Sequence, residues 1–397
     1  MVVGIVGVHV TSEAAQRLLD CVLRGEPWPR AWLGELIERD SPALFSVVAE
    51  GLSDRFEPRL VEVYTEIFAE AIAAVLPEYR AADLVGRYRR VRGPRRFEGE
   101  ARTVFVLSRV TLGAEVAVTS VILDAVKRRL PRARIVLVGP RKCWELFGAD
   151  PRIEHLPVSY DGALRDRIAV SPRLAEPDSI VVDPDSRITQ LGLLPVCPEE
   201  NYYLFESRTY GGDGAESLGA LARRWAAATF EIEDARSYIA PAETPDYPTG
   251  GIAVSFGVGG NAAKRIADPF ESRLLAALAE RGLPLVVDAG AGGEEATRVE
   301  RAIEASGARV EVWRGSFAGY ASIIARSRLY VGYDSAGQHV AAACGVPLVA
   351  VFAGAPCRRF EERWRPYGRG PVEVIPAETD DPEAVLARAM EAVGRRL

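Results

Sequence analysis

The chain has 397 residues, of which 48% are hydrophobic and 26% are charged, and its formal net charge is −6. This composition excludes a disordered chain and leaves room for two or three domains with cores of their own. The acidic balance argues against a nucleic-acid-binding protein, because such proteins usually carry a basic domain.

Neither a membrane span nor secretion is predicted. No run of 18 apolar residues occurs, and the apolar start "MVVGIVGVHV" lacks the basic residues of a signal peptide. The five cysteines are scattered and never form a C-x-x-C pair, which is typical of reduced thiols. We therefore expect a soluble, cytoplasmic protein without a metal site.

Residues 1–100 are predicted to form a mostly helical extension. Apolar residues recur every three or four positions in "RLVEVYTEIFAEAIAAVLPEYRAADLVGRYRRV". The basic segment "RYRRVRGPRRFEGEAR" that follows is interrupted by Gly and Pro, as is typical of a linker. The sequence leaves open whether the extension contacts another copy of the chain, a membrane surface or an acceptor substrate.

Residues 101–240 are predicted to form a first Rossmann-like domain. The β-branched run "TVFVLSRV" is typical of a strand buried on both faces. A helix in "VAVTSVILDAVKRRLP" and a strand in "RIVLVGP" complete a βαβ unit. We expect a third strand in "SIVVDPDS" and a helix in "ESLGALARRWAAATF", followed by the Pro- and Gly-rich linker "DARSYIAPAETPDYPTGG".

The pattern starts again over residues 241–397, a second predicted Rossmann-like domain. Strands are expected in "GIAVSFG", "LPLVVDAG", "RLYVGYDS" and "VPLVAVFAG", with helices between them. The predicted fold class is therefore α/β, with two Rossmann-like domains whose parallel sheets face a cleft, plus the helical extension. Ligands of such folds bind at the carboxyl ends of the strands.

One such end lies in "VGYDSAGQHVAAACG". Asp334 follows a predicted strand directly, and the small residues Ser335, Ala336 and Gly337 begin a helix. A helix start of this kind presents backbone N–H groups to a phosphate, and His339 in the first turn adds a further donor. The alternative is structural: Asp334 and Ser335 cap the helix, and His339 is a buried histidine with its own partners.

A second strand end is followed by the glycine-rich stretch "SFGVGGNAAKR". Gly257, Gly259 and Gly260 permit a ligand to approach the backbone closely, and Lys264 or Arg265 can neutralise a diphosphate. The alternative is a glycine turn whose basic residues face solvent.

The segment "RLYVGYDSAGQHVAAACGVPLVAVFAGAPCRRFEERWRPYG" resembles the nucleotide-sugar motif of the bacterial heptosyltransferases, glycosyltransferase family 9. That motif is approximately D-[ST]-G-x-x-H-x-A-A-A-x-x-x-P-x-x-x-[LVI]-[FY]-G. The matching positions are Asp334, Ser335, His339, Ala341, Ala342, Ala343, Pro347, Phe352 and Gly354. One position departs, because the family's glycine is Ala336 here. "VFVLSRVTLGAEVAVTSVILDAVKRRLPRARIVLVGP" and "IAVSFGVGGNAAKRI" resemble the family's two domain-opening strands, so the resemblance covers residues 103 to about 370.

The resemblance implies a GT-B fold with the acceptor at the first domain and the sugar nucleotide mainly at the second. It implies an inverting, metal-independent glycosyltransferase that needs no cofactor. The donor would be a nucleoside-diphosphate sugar, an ADP-sugar by resemblance, and the acceptor a hydroxyl of a glycan, a lipid-linked sugar or a protein. Lys264 would stabilise the leaving diphosphate together with the helix start and His339.

Two further donor contacts follow from the resemblance alone. Glu294 or Glu295 in "DAGAGGEEATR" would hold a ribose hydroxyl, although a carboxylate there also suits a helix N-terminus. Ser316 or Phe317 in "WRGSFAGYASI" would lie near the nucleotide base.

The catalytic base is the point at which the sequence departs most from the family. Arg109 and Gly113 fit the family's N-terminal signature, but the aspartate that should follow the glycine is Ala114, with Glu115 one position later. A shift of one residue turns a helical side chain by about 100°. Three hypotheses follow: Glu115 is the base, another carboxylate such as Asp185 has replaced it, or catalysis is lost.

An acceptor site is predicted in "DPDSRITQLGLLPVCPEENYYLFESRTYGG", a polar and aromatic stretch after a strand. The side chains able to hold hydroxyl or anionic groups are Asp185, Arg187, Gln190, Glu206 and Arg208. The alternative is a structural loop with internal salt bridges. Two competing functions also remain at this point: a sugar-nucleotide-binding scaffold that has lost catalysis, and a different GT-B enzyme such as a sugar-nucleotide epimerase.

Overall fold

The structure is a computed structural model that describes residues 13–39, 41–169, 173–259, 261–290, 292–377 and 381–397. Two parallel sheets follow one another along the chain, each packed between helices, and further helices precede the first sheet. The predicted fold class is confirmed: α/β, with two Rossmann-like domains and a helical N-terminal region.

The first sheet has five parallel strands in the order β3-β2-β1-β4-β5. Its strands are β1 Thr103–Leu107, β2 Arg134–Gly139, β3 Ile153–Pro157, β4 Ser179–Asp183 and β5 Tyr202–Leu204. Strand β1 lies at the centre and all five of its residues are buried, as the continuous apolar run predicts. The stretch "SIVVDPDS" is therefore the fourth strand along the chain and not the third, because β3 precedes it.

The second sheet has six parallel strands in the order β11-β10-β9-β6-β7-β8. Its strands are β6 Ile252–Ser255, β7 Leu285–Asp288, β8 Glu311–Trp313, β9 Leu329–Tyr333, β10 Leu348–Phe352 and β11 Val372–Pro376. The strand order reverses between β6 and β9, where loops diverge and ligands of open α/β sheets bind.

The helices fall into three groups. The N-terminal group comprises α1 Glu13–Arg24, α2 Arg30–Arg39, α3 Ser41–Ala43, α4 Glu50–Ser53, α5 Pro58–Val75 and α6 Ala81–Val91, with a π-helical turn at Leu44–Ala49. The first domain has α7 Leu112–Ala114, α8 Ser120–Arg129, α9 Arg141–Trp144, α10 Leu164–Ala169 and α11 Leu218–Phe230, with a π-helical turn at Glu115–Thr119. The second domain has α12 Phe270–Ala279, α13 Gly293–Ser306, α14 Phe317–Ala325, α15 Ala336–Cys344, α16 Arg358–Trp364 and α17 Pro382–Arg396.

The N-terminal helices cover one face of the first sheet. Leu60, Ile67 and Phe68 of α5 belong to the same buried cluster as Phe105 and Leu107 of β1. Helices α8 and α11 pack in the cluster on the opposite face. The helical region therefore completes the three-layer arrangement of the first domain, since β1 would otherwise expose an apolar face.

Arg87 of α6 ties the helical region to the loops of the first domain. Its guanidinium is buried, donates to the carbonyl of Gly192 at 2.8 Å, and lies 4.5 Å from the centre of the Tyr202 ring. A buried charge held in this way fixes α6 against the polar stretch after β4. The N-terminal helices are thus placed beside the loop predicted to bind an acceptor.

Candidate functional site

Lys264 and Asp334 form an ion pair at the carboxyl end of the second sheet. Lys264 Nζ lies 2.6 Å from Asp334 Oδ2 and 3.4 Å from the Asp334 carbonyl, and Gln338 Nε2 donates to Asp334 Oδ1 at 2.5 Å. Asp334 immediately follows β9, so the turn into α15 brings its carboxylate to this edge. Because both carboxylate oxygens are occupied, Asp334 orients Lys264 and the first turn of α15.

The start of α15 has the form expected of an anion seat. Ser335 at the N-cap makes no side-chain hydrogen bond to the helix, so the capping alternative does not describe it. Gly337 is required by packing, since a Cβ there would lie 2.3 Å from the hydroxyl of Tyr330. The first N–H groups of a helix lack intrahelical acceptors, and Lys264 adds a positive charge beside them.

His339 is buried in the first turn of α15, with its ring centre 5.9 Å from that of Trp364 in α16. Burial lowers the pKa of His339 to about 4, and the nearby Lys264 charge acts in the same direction, against the opposing effect of Asp334. The imidazole is therefore neutral at neutral pH. It can serve as a hydrogen-bonding group but adds no charge.

The first domain meets this seat at Gly113. A Cβ on Gly113 would lie 3.3 Å from His339 Cδ2 and 3.4 Å from Ala336 Cα. A side chain at this position would be accommodated only if the turn after β1 moved away from α15 by a few tenths of an ångström. The structure thus brings together the predicted acceptor residue Gly113 and the predicted donor residues Ala336 and His339.

The other predicted donor residues are placed differently. Arg265 Nε lies 3.4 Å from Glu271 Oε1, within a buried group inside the second domain that includes Arg298 and Tyr333. Arg265 is therefore directed to Glu271, while Lys264 serves the α15 seat.

Of the two glutamates at the start of α13, Glu295 rather than Glu294 contacts the glycine-rich loop after β6. Glu295 Oε2 accepts from the backbone of Val258 at 3.3 Å, and a Cβ on Gly257 would lie 3.4 Å from Glu295 Oε1, whereas Glu294 is exposed. Gly259 has φ +61°, a conformation that favours glycine. Gly260 lies outside the described residues.

Ser316 has a structural partner on each side. Its hydroxyl accepts from the N–H of Gly319 at 3.0 Å, which caps α14, and it also bonds to Glu243 of the interdomain linker. A contact from Ser316 to a nucleotide base stays a prediction.

Five of the seven predicted acceptor residues line one cavity of about 70 Å³: Arg109, Asp185, Arg187, Gln190 and Arg208, but not Gly113 or Glu206. The residues lining it are Phe45, Ala49, Ser53, Asp54, Phe56, Tyr64, Arg109, Thr111, Tyr160, Asp185, Arg187, Gln190, Leu191, Ser207, Arg208 and Trp364. They come from the N-terminal helices, the first domain and, through Trp364, the second domain. Glu206 is absent from this lining and lies behind Arg208.

Asp185 and Arg208 form the buried floor of this cavity. Arg208 Nε lies 3.2 Å from Asp185 Oδ2 and from Glu206 Oε1, and Ser207 donates its hydroxyl to the same Asp185 oxygen at 2.7 Å. Asp185 raises the pKa of Arg208 against the effect of burial. Asp185 Oδ1 and Arg208 Nη1 are buried without a hydrogen-bond partner, and such groups call for an occupant that supplies one.

Arg109 and Arg187 hold the loops around that floor. Arg109 Nη1 donates to the carbonyl of Pro184 at 2.5 Å and lies 3.1 Å from Ser207 Oγ. Arg187 Nη2 lies 3.6 Å from Glu50 Oε1 of α4. The second contact joins the first domain to the N-terminal helices at the rim of the cavity.

Backbone strain is concentrated at the same place. Among described residues other than glycine, seven have positive φ. Phe56, Asp185, Gln190 and Leu191 line the cavity, and Val110 stands between two residues that do. Left-handed conformations of such residues cost about 1 kcal/mol or more each and tend to cluster at functional sites.

Glu115 is not directed at this cavity. It is fully buried, and its Oε1 accepts from Ser108 Oγ at 2.5 Å and from the N–H of Val110 at 3.0 Å. Burial raises the pKa of Glu115, against the lowering effect of its hydrogen bonds from Ser108 and Val110. The geometry does not support the hypothesis that Glu115 is the base: this carboxyl holds the turn after β1, and Ala114 beside it is also buried.

Sequence reasoning missed the segment Ser53–Phe56 between α4 and α5. It lies at the junction of the N-terminal helices with both domains, and its Asp54 lines the cavity. No motif in "GLSDRFEP" indicates such a role. The sequence gives only indirect evidence for this role: the helical region has no assigned function, and the adjacent domain lacks the carboxylate expected at Ala114.

Two Rossmann-like domains in contact, with a lysine beside a helix start at the carboxyl end of the second sheet, define a protein of GT-B architecture. Residues 268–391 match the family model described as glycosyltransferase family 9 (heptosyltransferase). The match covers most of the second domain, which is therefore similar to that family. The resemblance predicted from the sequence, and with it the class of glycosyltransferase, is confirmed.

Solved structures agree with this fold. The chain is similar to a glycosyl transferase family 9 protein from Veillonella parvula, with 17% identity, a TM-score of 0.54 and coverage of 75% of this chain and 91% of that one. It is also similar to E. coli heptosyltransferase WaaC solved with ADP, with 17% identity, a TM-score of 0.55 and coverage of 73% and 99%. A third match is E. coli ADP-heptose lps heptosyltransferase II, with 16% identity, a TM-score of 0.51 and coverage of 74% and 99%. No curated protein gives a significant match.

Two absences concern only the described part of the chain. There, no helix has both the length and the apolar character needed to cross a lipid bilayer. Within the same residues, no group of three or more His, Cys, Asp or Glu side chains is arranged to hold a metal ion. Independence from metals and cofactors stays a prediction.

Proposed function

We propose that this protein is an inverting glycosyltransferase that moves a sugar from a nucleoside-diphosphate sugar to a hydroxyl acceptor. The observation that carries the proposal is Lys264, held by Asp334 beside the start of α15 and next to His339. A Cβ added to Gly113 would lie 3.3 Å from His339 Cδ2 and 3.4 Å from Ala336 Cα, so donor and acceptor sides adjoin.

On the donor side, the diphosphate would lie at the first turn of α15. Lys264 would contribute its charge and α15 the positive end of its dipole, both of which stabilise the leaving nucleoside diphosphate as the bond to the sugar breaks. Neutral His339 would donate or accept a hydrogen bond without competing for charge. Protein groups alone would then balance the diphosphate charge, which supports metal independence.

On the acceptor side, the cavity floored by Asp185 and Arg208 would receive the hydroxyl-bearing molecule. Its unpartnered buried atoms supply one acceptor and one donor for that molecule. The attacking oxygen would approach the sugar from the face opposite the diphosphate, since acceptor and donor sites lie on different domains. A single displacement of this kind inverts the anomeric centre.

An ADP-sugar is the first donor to test, because the E. coli protein WaaC, similar to this chain, was solved with ADP. We place the reaction in the cytoplasm, which the five unpaired cysteines support. The acceptor class stays a glycan, a lipid-linked sugar or a protein.

The test is release of nucleoside diphosphate from a panel of ADP-, GDP-, UDP- and dTDP-sugars, with and without EDTA. The proposal expects one base to be preferred, EDTA to have no effect, and the product to have the opposite anomeric configuration by NMR. Tight nucleotide binding with no release, in water or with candidate acceptors, would instead favour a scaffold that has lost catalysis. Interconversion of two free UDP-sugars would favour an epimerase.

A further inference from the structure

The turn that carries Asp54 is held between the N-terminal helices and both domains. Arg359 of the second domain donates to the carbonyl of Phe56 at 3.1 Å, and Cys357 Sγ lies 3.9 Å from the carbonyl of Arg55. The Phe56 ring is buried in the cluster that both domains share. These three contacts fix the turn, so they can position its side chains precisely. A side chain on this turn can act in catalysis if it has no structural hydrogen bonds of its own.

Asp54 is free in this sense. Its backbone N–H bonds to Glu50, but in the described part of the chain no group hydrogen-bonds to its carboxylate. It is partly exposed and lines the acceptor cavity. The carboxylate is thus available to a molecule bound there.

The charged groups that affect Asp54 belong to both the acceptor cavity and the donor seat. Desolvation of its carboxyl by the surrounding cavity wall raises the pKa of Asp54 to about 6, with smaller effects from Arg187, Glu50, Lys264 and Asp334 in that order. The two basic groups lower the pKa of Asp54 and the two acidic groups raise it. Lys264 and Asp334 belong to the donor seat, so the charges of that seat contribute to the pKa of Asp54.

The rival carboxylates are committed to structure. Glu115 is fully buried and holds the turn after β1. Asp185 accepts three hydrogen bonds on one oxygen, two from Ser207 and one from Arg208. Losing Asp185 would therefore remove one of the two carboxylate partners of Arg208. Among the residues that the structure describes, the Asp54 carboxylate has no structural partner of this kind.

We propose that Asp54 is the general base of this transferase, supplied by the N-terminal helical region in place of the carboxylate that the family's pattern has at Ala114. The proposal rests on the proposed function. In the reaction the Asp54 carboxylate takes the proton of the acceptor hydroxyl as its oxygen forms a bond to the anomeric carbon. The bond from that carbon to the diphosphate breaks, and the electron pair leaves with the nucleoside diphosphate.

The test compares Asp54→Asn with wild type in the full chain. The donor is the nucleotide sugar that wild type consumes fastest in the panel above, and water is the acceptor probe. We expect kcat to fall by about 100-fold or more, while the Kd for the nucleoside diphosphate changes less than about twofold. Wild-type kcat should rise with pH through about 6, and this acidic limb should vanish in Asp54→Asn.

Three further variants sharpen the test. Asp54→Glu should retain the acidic limb with a reduced kcat, and Asp185→Asn should retain the limb even if KM rises. Glu66→Gln, an exposed change on α5, should match wild type. Circular dichroism and Tm confirm folding, and Asp54→Glu carries the comparison if Asp54→Asn does not fold.

The two proposals fail in different ways. If folded wild type releases no nucleoside diphosphate from any donor, the proposed function is wrong, and the assignment of Asp54 as its general base is wrong with it. If wild type is active and Asp54→Asn keeps more than a third of its kcat or keeps the acidic limb, only the assignment of Asp54 is overturned.

Discussion

Lys264 and Asp334 are joined across the end of the second sheet by an ion pair of 2.6 Å, in which the lysine side chain is 20% exposed and the aspartate 6%. The pair places a fixed positive charge at the start of α15. Because Asp334 is also bonded to Gln338, the lysine, the strand end and the helix start form one unit.

This pair predicts a graded loss of donor affinity. Lys264→Ala should weaken nucleoside-diphosphate binding by about 10- to 100-fold, since a hydrogen bond to a charged group contributes roughly 1.5–3 kcal/mol. Asp334→Asn should weaken it less, because Lys264 keeps its charge and loses only its fixed position. Isothermal titration calorimetry with the preferred nucleoside diphosphate measures both.

The chain offers a matched control for that experiment. Lys127 and Asp150 form a similar ion pair of 2.5 Å, 20% and 11% exposed, in the first domain. Lys127→Ala should leave the Kd unchanged even if it lowers Tm. Equal loss of affinity in Lys127→Ala and Lys264→Ala, or no loss in either, would contradict the placement of the donor seat.

His339 predicts a specific pH dependence of stability. Its pKa is lowered from 6.5 to about 4, so the folded protein binds this proton less readily than the unfolded chain does. The contribution of neutral His339 to the free energy of unfolding is fully present above pH 6.5. It is lost as pH falls toward 4, and the loss amounts to at most about 3 kcal/mol. His339→Gln, which cannot titrate, should show a smaller fall in Tm between pH 7 and pH 4.5 than wild type.

An NMR titration gives an independent readout for His339. Its ring signals, assigned by comparison with His339→Gln, should keep the neutral form down to about pH 5. A midpoint near 6.5 would mean that the imidazole is solvated and is not buried beside Trp364.

The interior of both sheets was predictable, and their edges were not. The predicted strands β1, β2, β4, β6, β7, β9 and β10 are all interior strands, and parallel strands covered on both faces are apolar throughout. The four unpredicted strands, β3, β5, β8 and β11, are the two edges of each sheet. Three of them carry exposed or half-buried residues, and β5 has only three residues, so none gives a periodic apolar signal.

The part of the donor seat at the start of α15 was predictable because its residues are close in sequence. Asp334 to His339 form one strand end and one helix turn, so spacing along the chain fixes spacing in the fold. Asp54 differs, since folding brings it from about 55 residues away to the loop of Arg109. Only the packing of the N-terminal helices on β1 creates that proximity, and no local pattern records it.

We expect the buried Glu115 to have a structural role, and two substitutions can distinguish this role from that of a general base. Glu115→Ala should lower the free energy of unfolding by about 2 kcal/mol, since Ser108 and Val110 lose their shared acceptor. Glu115→Gln keeps a carbonyl acceptor for Ser108 and Val110, so it should cost less than about 1 kcal/mol. Urea unfolding measures both, and kcat of Glu115→Gln should stay within about threefold of wild type, whereas a general base would show a loss of about 100-fold or more.

Gly113 predicts how closely the two domains must approach for transfer. In Gly113→Ala the new Cβ would lie 3.3 Å from His339 Cδ2 and 3.4 Å from Ala336 Cα, tighter than ordinary contact. The turn after β1 must then move a few tenths of an ångström away from the donor seat. We expect kcat/KM to fall by about 10-fold, because small misplacements of reacting groups carry large kinetic costs.

Gly34→Ala is the control for adding a methyl group to a helical glycine. Gly34 lies exposed in α2, and a Cβ there would meet nothing within 4 Å. This change should leave kcat/KM unaltered and raise stability by roughly 0.5–1 kcal/mol, since alanine favours a helix interior. Gly113→Ala should change kcat/KM while its nucleoside-diphosphate Kd stays within about threefold, because Lys264 and α15 lie on the second domain. An unchanged kcat/KM in Gly113→Ala would mean that the contact between the domains at Ala336 is not the arrangement in which transfer occurs.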